Sequence, residues 1–290
     1  MRMIRLNNKA FTRRGYNLRG FNLRGFNLRG FTLVELLVVI SIIAMLMTLL
    51  VPILVGVRDS GRQVVCASNL RQIAMSALLY SGDNDSYFPP AHTDFYTANN
   101  HRWHGTRPAN DRAFDFRSSS LNRILKTDRI KECPSFVFDE SAGFERSCGG
   151  YGYNSTFVGS SIGDPALNAA SMPFEEFEKR AGNVPARQAQ IARPAEKIFF
   201  ADCAIAFPSL IEYSFVEPPR DAWGNETSPS MHFRHKSGKQ AGSANVAWVD
   251  GHVTGEQFEW TYRVNVYGAD NAASRLGFFG PRDNRFFERK

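Results

Sequence analysis

Gly30-Phe31-Thr32-Leu33-Val34-Glu35 runs straight into LLVVISIIAMLMTLLVPILVGV, residues 36–57, and this junction decides how the chain is built. The 22 residues from Leu36 to Val57 carry no charge, and as a helix rising 1.5 Å per residue they reach roughly 33 Å, enough to cross a bilayer core. Glu35 sits at the edge of that run. A carboxylate there is costly unless it finds a partner, which makes Glu35 a functional candidate by position alone. Residues 1–30 hold eight Arg and Lys side chains and no acid, so the positive-inside rule keeps them in the cytoplasm and sends the C-terminal bulk across the membrane. Residues 31–290 hold 27 basic and 28 acidic side chains, a net charge of −1. The chain's overall +7 therefore belongs to its first segment, and the bulk of the chain has no charge reason to bind nucleic acid.

The basic segment repeats with a period of five: Arg14-Gly-Tyr-Asn-Leu, Arg19-Gly-Phe-Asn-Leu, Arg24-Gly-Phe-Asn-Leu and Arg29-Gly-Phe-Thr-Leu. That period matches neither a heptad nor a solenoid, and it reads as a duplicated leader end with no fold of its own. Arginine-glycine segments that bind RNA also pair Arg with aromatic residues, but they rarely stop against a membrane span. Only the last copy has an acid at the fifth position after its glycine, Glu35 after Gly30. Two plainer readings are a conventional signal peptide and an uncleaved signal anchor; a secretory apolar region is usually shorter and ends in an A-x-A-like site.

Residues 30–57 resemble the type IV pilin and type II secretion pseudopilin family, whose hallmark is a basic leader, Gly-Phe-Thr-Leu-x-Glu and an apolar helix. The resemblance implies cleavage by a prepilin peptidase between Gly30 and Phe31, N-methylation of the new Phe31 amine, and assembly into a helical filament. Glu35 would then pair with the amine of a neighbouring subunit. The implied partners are that peptidase, copies of this chain and other pseudopilins, an inner-membrane assembly platform, and membrane lipid. The implied location is a single-pass inner-membrane protein with its N-terminus in the cytoplasm and its C-terminal domain periplasmic or extracellular.

Four regions follow: a removable leader at 1–30, a transmembrane and filament-core helix at 31–57, its amphipathic continuation at 58–81, and a β-rich pilin-like domain at 82–290. Pro52 is expected to kink the helix. Beyond it, Cys66, Leu70, Ile73, Ala74, Ala77 and Leu78 recur at helical spacing, with Arg62, Asn69, Arg71, Gln72 and Ser76 expected to face away. One helix from about Thr32 to Tyr80 results, stopped by Ser81-Gly82-Asp83-Asn84-Asp85. Strands are predicted at Lys197–Ala201, Asn245–Val249 and His252–Thr254, the last two joined by a two-residue turn at Asp250-Gly251 with positive φ at both positions. A short helix is predicted at Pro173–Arg180, and residues 91–120 and 205–230 read as loops. The fold class is α+β, a long N-terminal helix packed on an antiparallel sheet.

Cys66-Ala-Ser-Asn-Leu-Arg-Gln-Ile, Tyr151-Gly-Tyr-Asn, Ala201-Asp202 and the late His235…Asp250-Gly251-His252 look like pseudopilin-like proteins with an H-X9-DG C-terminal motif. Fourteen residues rather than nine separate His235 from Asp250, which leaves two readings: an insertion within Lys236–Ser243, or a histidine with another role. A structural hydrogen bond between His235 and Asp250 is the expectation. The cysteines Cys66, Cys133, Cys148 and Cys203 lack CxxC spacing and allow three disulfide pairings, of which the short segment between Cys133 and Cys148 favours that one; four free thiols, some of them buried, are the alternative. His101-x-x-His104 and His232-x-x-His235, with Asp250 and His252, raise a metal reading, set against the absence of HExxH. Related pseudopilins bind calcium in a C-terminal loop, which makes Asp250, Asp270 and Asp283 candidates; Asp83-x-Asp85 reads as a turn. No nucleophile elbow, P-loop or dinucleotide fingerprint occurs, and Gly149-Gly150-Tyr151-Gly152 lacks the context for phosphate. The expected role is therefore structural rather than enzymatic. A membrane-anchored binding module that never polymerises and a metal-dependent hydrolase are the rivals. Trp103, Phe286 and Phe287 are expected to be exposed.

Overall fold

The computed structural model describes residues 30–94, 97–139, 144–164, 167, 173–207, 209–235 and 242–290. In chain order these form α1 (Leu33–Asp83), β1 (His101–Arg102), β2 (Gly105–Thr106), α2 (Asn122–Leu125), β3 (Tyr151–Tyr153), α3 (Phe174–Gly182), β4 (Ile198–Asp202), β5 (Ile205–Phe207), β6 (Ser209–Ile211), β7 (Met231–His232), β8 (Ser243–Trp248), β9 (Val253–Gln257) and β10 (Leu276–Gly277). The arrangement is α+β, as expected. The first three copies of the leader repeat, residues 14–28, lie outside the described residues.

Two compact units divide the chain, residues 1–51 and 52–290. In the first, α1 is apolar on every side and its side chains are exposed. Among the described residues it is the one helix long and apolar enough to cross a membrane. The helix is continuous across Pro52 and ends at Asp83, three residues later than expected. There Asp85 and Ser86 both turn left-handed, with φ of 50° and 63°, while Asn84 Nδ2 donates to the Tyr80 carbonyl at 2.7 Å. Asp83-x-Asp85 is therefore a helix-ending turn.

In the second unit, α1 shows the expected stripe. Cys66, Leu70, Ile73, Ala74 and Ala77 are buried, with Leu78 partly so. Asn69 and Ser76, expected to face away, are buried as well. Each polar group has a carbonyl to satisfy it: Asn69 Nδ2 meets the Glu132 carbonyl at 3.4 Å, and Ser76 Oγ bonds back to Ile73 at 2.6 Å.

The main sheet has the antiparallel order β3-β4-β8-β9. Its central strands, β4 and β8, are buried along their whole length, so both faces are covered. Toward α1 point Phe199, Phe200 and Ala247, joined by Tyr151 and Tyr153. Toward the second face point Ile198, Ala201, Ala244, Val246 and Trp248, against Phe157, Val216, Phe233 and Phe287. A register shift between Ile198 and Phe200 explains how two consecutive phenylalanines reach one face of a strand. Each fully buried aromatic or aliphatic side chain stabilises by about 1.5–3 kcal/mol relative to exposure. Trp103 and Phe287, expected outside, belong to this interior; Phe286 is partly covered. Trp103 packs edge-on to Phe200 and donates its indole N–H to the Ser214 carbonyl at 2.8 Å.

The three predicted strands and the predicted helix are present with ends moved by one to three residues. The segments read as loops contain the short ribbon β1–β2 and the hairpin β5–β6. The β8–β9 connection is also tighter in its demands than expected. Gly251 N donates to the Trp248 carbonyl at 2.8 Å, and only Gly251 takes positive φ, at 91°. A Cβ on Gly251 would lie 3.0 Å from Met75 Sδ and 3.2 Å from Leu78 Cδ1, both on α1. Gly251→Ala is therefore expected to cost about 1–3 kcal/mol through strain and crowding together, measured as a shift in the urea midpoint.

One covalent bond ties helix to domain. It joins Cys66 on α1 to Cys133, 67 positions apart in sequence, and not Cys133 to Cys148 as expected. Cys148 and Cys203 are free and buried. The helix stripe brings Cys66 against the segment that carries Cys133, while Cys148 is turned toward Glu212, and this packing overrides the short loop. Closing a loop of this length stabilises by about 4 kcal/mol in the chain-entropy account, so Cys133→Ser is expected to lower unfolding free energy by that amount. Non-reducing peptide mapping should recover a Cys66–Cys133 link; a Cys133–Cys148 link would overturn the assignment.

Candidate functional site

The N-terminal junction is built by a helix start. Gly30, Phe31 and Thr32 are non-helical and exposed, and α1 begins at Leu33. Thr32-x-x-Glu35 forms a reciprocal capping box. The Glu35 amide donates to Thr32 Oγ1 at 3.2 Å, and Glu35 Oε2 accepts from the Thr32 amide at 2.9 Å and from its hydroxyl at 2.8 Å. Helix N-termini leave backbone N–H groups without partners, and a carboxylate at this position also meets the positive end of the helix dipole. The signal was present in the sequence as a Thr followed three residues later by Glu. Both carboxylate bonds fall on Oε2.

The late motif residues are not brought together. His235 exchanges both backbone bonds with Ser243 at the start of β8, whereas Asp250 lies past its end, so roughly 17 Å of strand separates them. The partner of His235 is Asp202 on β4, with Nε2 2.9 Å from Oδ2. Asp202 also accepts from Arg234 at 2.8 Å and from the Asn245 amide at 2.7 Å, which ties β4, β7 and β8 together. Arg234 further donates to the carbonyls of Cys203 and Gly150. Asp250 instead serves its own turn, accepting from the His252 amide at 3.1 Å and pairing with the His252 ring, which stacks on Trp248.

Burial alone would push the Asp202 carboxyl up; Arg234, the His235 bond and the Asn245 amide outweigh it and hold the carboxyl below its usual range. Burial holds His232 and His104 neutral, each aided by nearby arginine charge. His104 Nε2 meets Ser214 Oγ at 2.7 Å, and exposed His101 pairs with Asp94 at 2.9 Å. The two His-x-x-His pairs thus have separate local partners. Among the described residues, Cys66, Cys133 and His235 alone form a group at metal-ligand spacing, and the first two are joined as a disulfide, which offers no thiolate. Asp250, Asp270 and Asp283 are likewise each engaged locally, Asp270 by the Ala273 amide and Asp283 by Arg285.

Two buried carboxylates escaped the sequence reading. Glu145 forms an ion pair with Arg102 at 2.6 Å, both side chains fully buried. Glu212 accepts from the amides of Ser147, Gly149 and Gly150 at 2.7, 2.7 and 3.3 Å. Gly149 and Gly150 have φ of 69° and 77°, the conformation in which successive amides converge on an anion. The glycine loop that lacks phosphate-binding context therefore cradles the chain's own carboxylate. Burial raises the Glu212 carboxyl above its ordinary value, the amides opposing.

The prokaryotic N-terminal methylation motif model matches residues 26–51. Neither the curated proteins nor the solved structures contain a match to the chain. With the long apolar helix that follows, the match gives the chain a type IV pilin-like N-terminus of the prepilin-processed kind. The match points to a structural role, to processing by prepilin peptidase and assembly with pilin-type subunits, and to anchoring in a membrane.

Asp202 gives a pH test. Because its folded value is depressed, its contribution is complete above about pH 4, the ordinary carboxylate value, and is lost as pH falls through the lowered one. Asp202→Asn is expected to destabilise by about 3–5 kcal/mol at pH 7, by leaving Arg234 buried without its partner. The gap from wild type should narrow below about pH 4 in urea melts taken across pH.

Proposed function

We propose that this chain is a structural subunit of a type II secretion pseudopilus or a type IV pilus-like filament. It is cut after Gly30, methylated on the Phe31 amine, and extracted from the inner membrane by an assembly platform. Residues 1–30 stay in the cytoplasm until they are removed, and the domain from residue 82 onward lies outside it. In the filament the apolar helices pack together, and Glu35 meets the Phe31 amine of a neighbouring copy.

The observation that carries this reading is the junction itself. A peptidase needs an accessible, unwound bond, and Gly30-Phe31 is exposed and precedes the first helical turn. The capping box starts the helix three residues after the cut. It also satisfies Glu35 within its own chain, so a lone subunit does not hold a bare carboxylate at the membrane edge. In the filament, Oε1 accepts the neighbour's ammonium while Oε2 keeps its cap, and both charges gain a partner in one step.

The test is the full chain expressed with its prepilin peptidase and read by mass spectrometry. The expected N-terminus is methylated Phe31. Glu35→Leu should still be cut, yet appear in the sheared filament fraction at no more than about a tenth of the wild-type level, as losing a buried ion pair implies. Wild-type filament yield from Glu35→Leu would instead remove Glu35 from assembly, and an uncut leader would leave a membrane-anchored binding module.

A further inference from the structure

A cavity of about 560 Å³ lies between the Asp59–Arg62 turn of α1, the segment after Cys133, β7 and the 273–275 turn ahead of β10. Its volume is in the range of sites that take small molecules. Among the described residues, the charged and titratable groups on its walls are Asp59, Arg62, His232, Arg234, His235 and Arg275. They are compensated unevenly. Asp59 pairs with Arg62 at 3.7 Å, and Arg234 pairs with Asp202 at 2.8 Å. Arg275 has no ion-pair partner among the described residues, so the described walls carry one positive charge in excess. Behind it, Arg234 Nε is buried with no acceptor, which leaves the inner wall with an unmet donor.

Arg275 is also held in place. Its backbone is left-handed, with φ of 55°, a conformation that costs a non-glycine residue about 1 kcal/mol. The Arg275 amide donates to Ala272 at 3.0 Å, and its carbonyl accepts from the Phe233 amide at 3.0 Å, next in sequence to Arg234. The side chain itself is exposed, so a ligand can reach it directly.

We propose that this cavity binds a small ligand bearing an oxyanion, a sulfate, phosphate or carboxylate group on a body up to about the size of a sugar ring. Arg275 is the primary contact and Arg62 the second. A guanidinium presents parallel N–H donors that match two oxygens of such a group, and this match favours arginine over lysine at oxyanion sites. The inference does not depend on the filament reading, since every wall residue belongs to the folded domain and the segment of α1 packed in it.

The full chain in detergent micelles is dialysed to equilibrium against labelled inorganic sulfate, inorganic phosphate or glucuronate, with chloride holding ionic strength constant. Saturable binding of at least one probe, at one site per chain, is expected. Arg275→Ala should weaken it by about tenfold or more, as the loss of a charge-assisted hydrogen bond does. Arg112→Ala, an exposed arginine outside the cavity, should bind as wild type does. Arg275→Ala should also melt as wild type does without ligand, because its side chain holds no ion pair. Binding of sulfate or phosphate without glucuronate assigns a tetrahedral oxyanion, and glucuronate alone assigns a sugar carboxylate. No saturable binding of any probe, or unchanged affinity in Arg275→Ala, overturns the proposal.

Discussion

The folded domain depends on the contact between the second part of α1 and the aromatic face of the sheet. Small residues on the helix, Ala74 and Ala77, face large ones around the sheet, Phe199, Phe200, Tyr151 and Tyr153. Packing of this kind is register-specific, since a one-turn slip would move every side chain about 5.4 Å. Two further features hold the register. The Cys66–Cys133 bond fixes one point along the helix, and the close approach of Gly251 to Met75 and Leu78 fixes another. With that face covered by the helix and the opposite one by Phe157, Val216, Phe233 and Phe287, β4 and β8 are apolar along their length rather than alternating.

The same helix answers to two solvents, and its composition changes accordingly. Up to Val51 its side chains are apolar in every direction and exposed. From Cys66 onward only a stripe is apolar. This division was readable in the sequence because both patterns are local: an unbroken run of uncharged residues, then a 3.6-residue period. The helix start was readable for the same reason, Thr32 and Glu35 lying within one turn. The hairpin at Asp250-Gly251 was readable in outline, since turn chemistry is local too.

What was not readable rests on contacts between distant segments. The disulfide joins residues 67 apart, and nothing near Cys66 names Cys133 rather than Cys148 as its partner. Asp202 was visible as part of a motif, but its bond to His235 exists only because β4 and β8 are neighbours in the sheet. Asn69 and Ser76 are polar by composition and buried by circumstance, each beside a carbonyl that no helical wheel displays. Glu145 and Glu212 look like surface acids in the sequence; three amides around one and a guanidinium on the other keep them inside.

The backbone exchange between His235 and Ser243 has a further consequence. The two residues donate to each other, His235 N to Ser243 O at 2.9 Å and Ser243 N to His235 O at 2.7 Å, so His235 and Ser243 form a single rung. Residues added or lost between those two positions change the count from the histidine to Asp250-Gly251 without moving either landmark in space. A signature written as a fixed number of residues is therefore a poor ruler for this chain. One written as a histidine bonded to the carboxylate of the neighbouring strand, with a tight Asp-Gly turn at the far end of the next, would survive such drift.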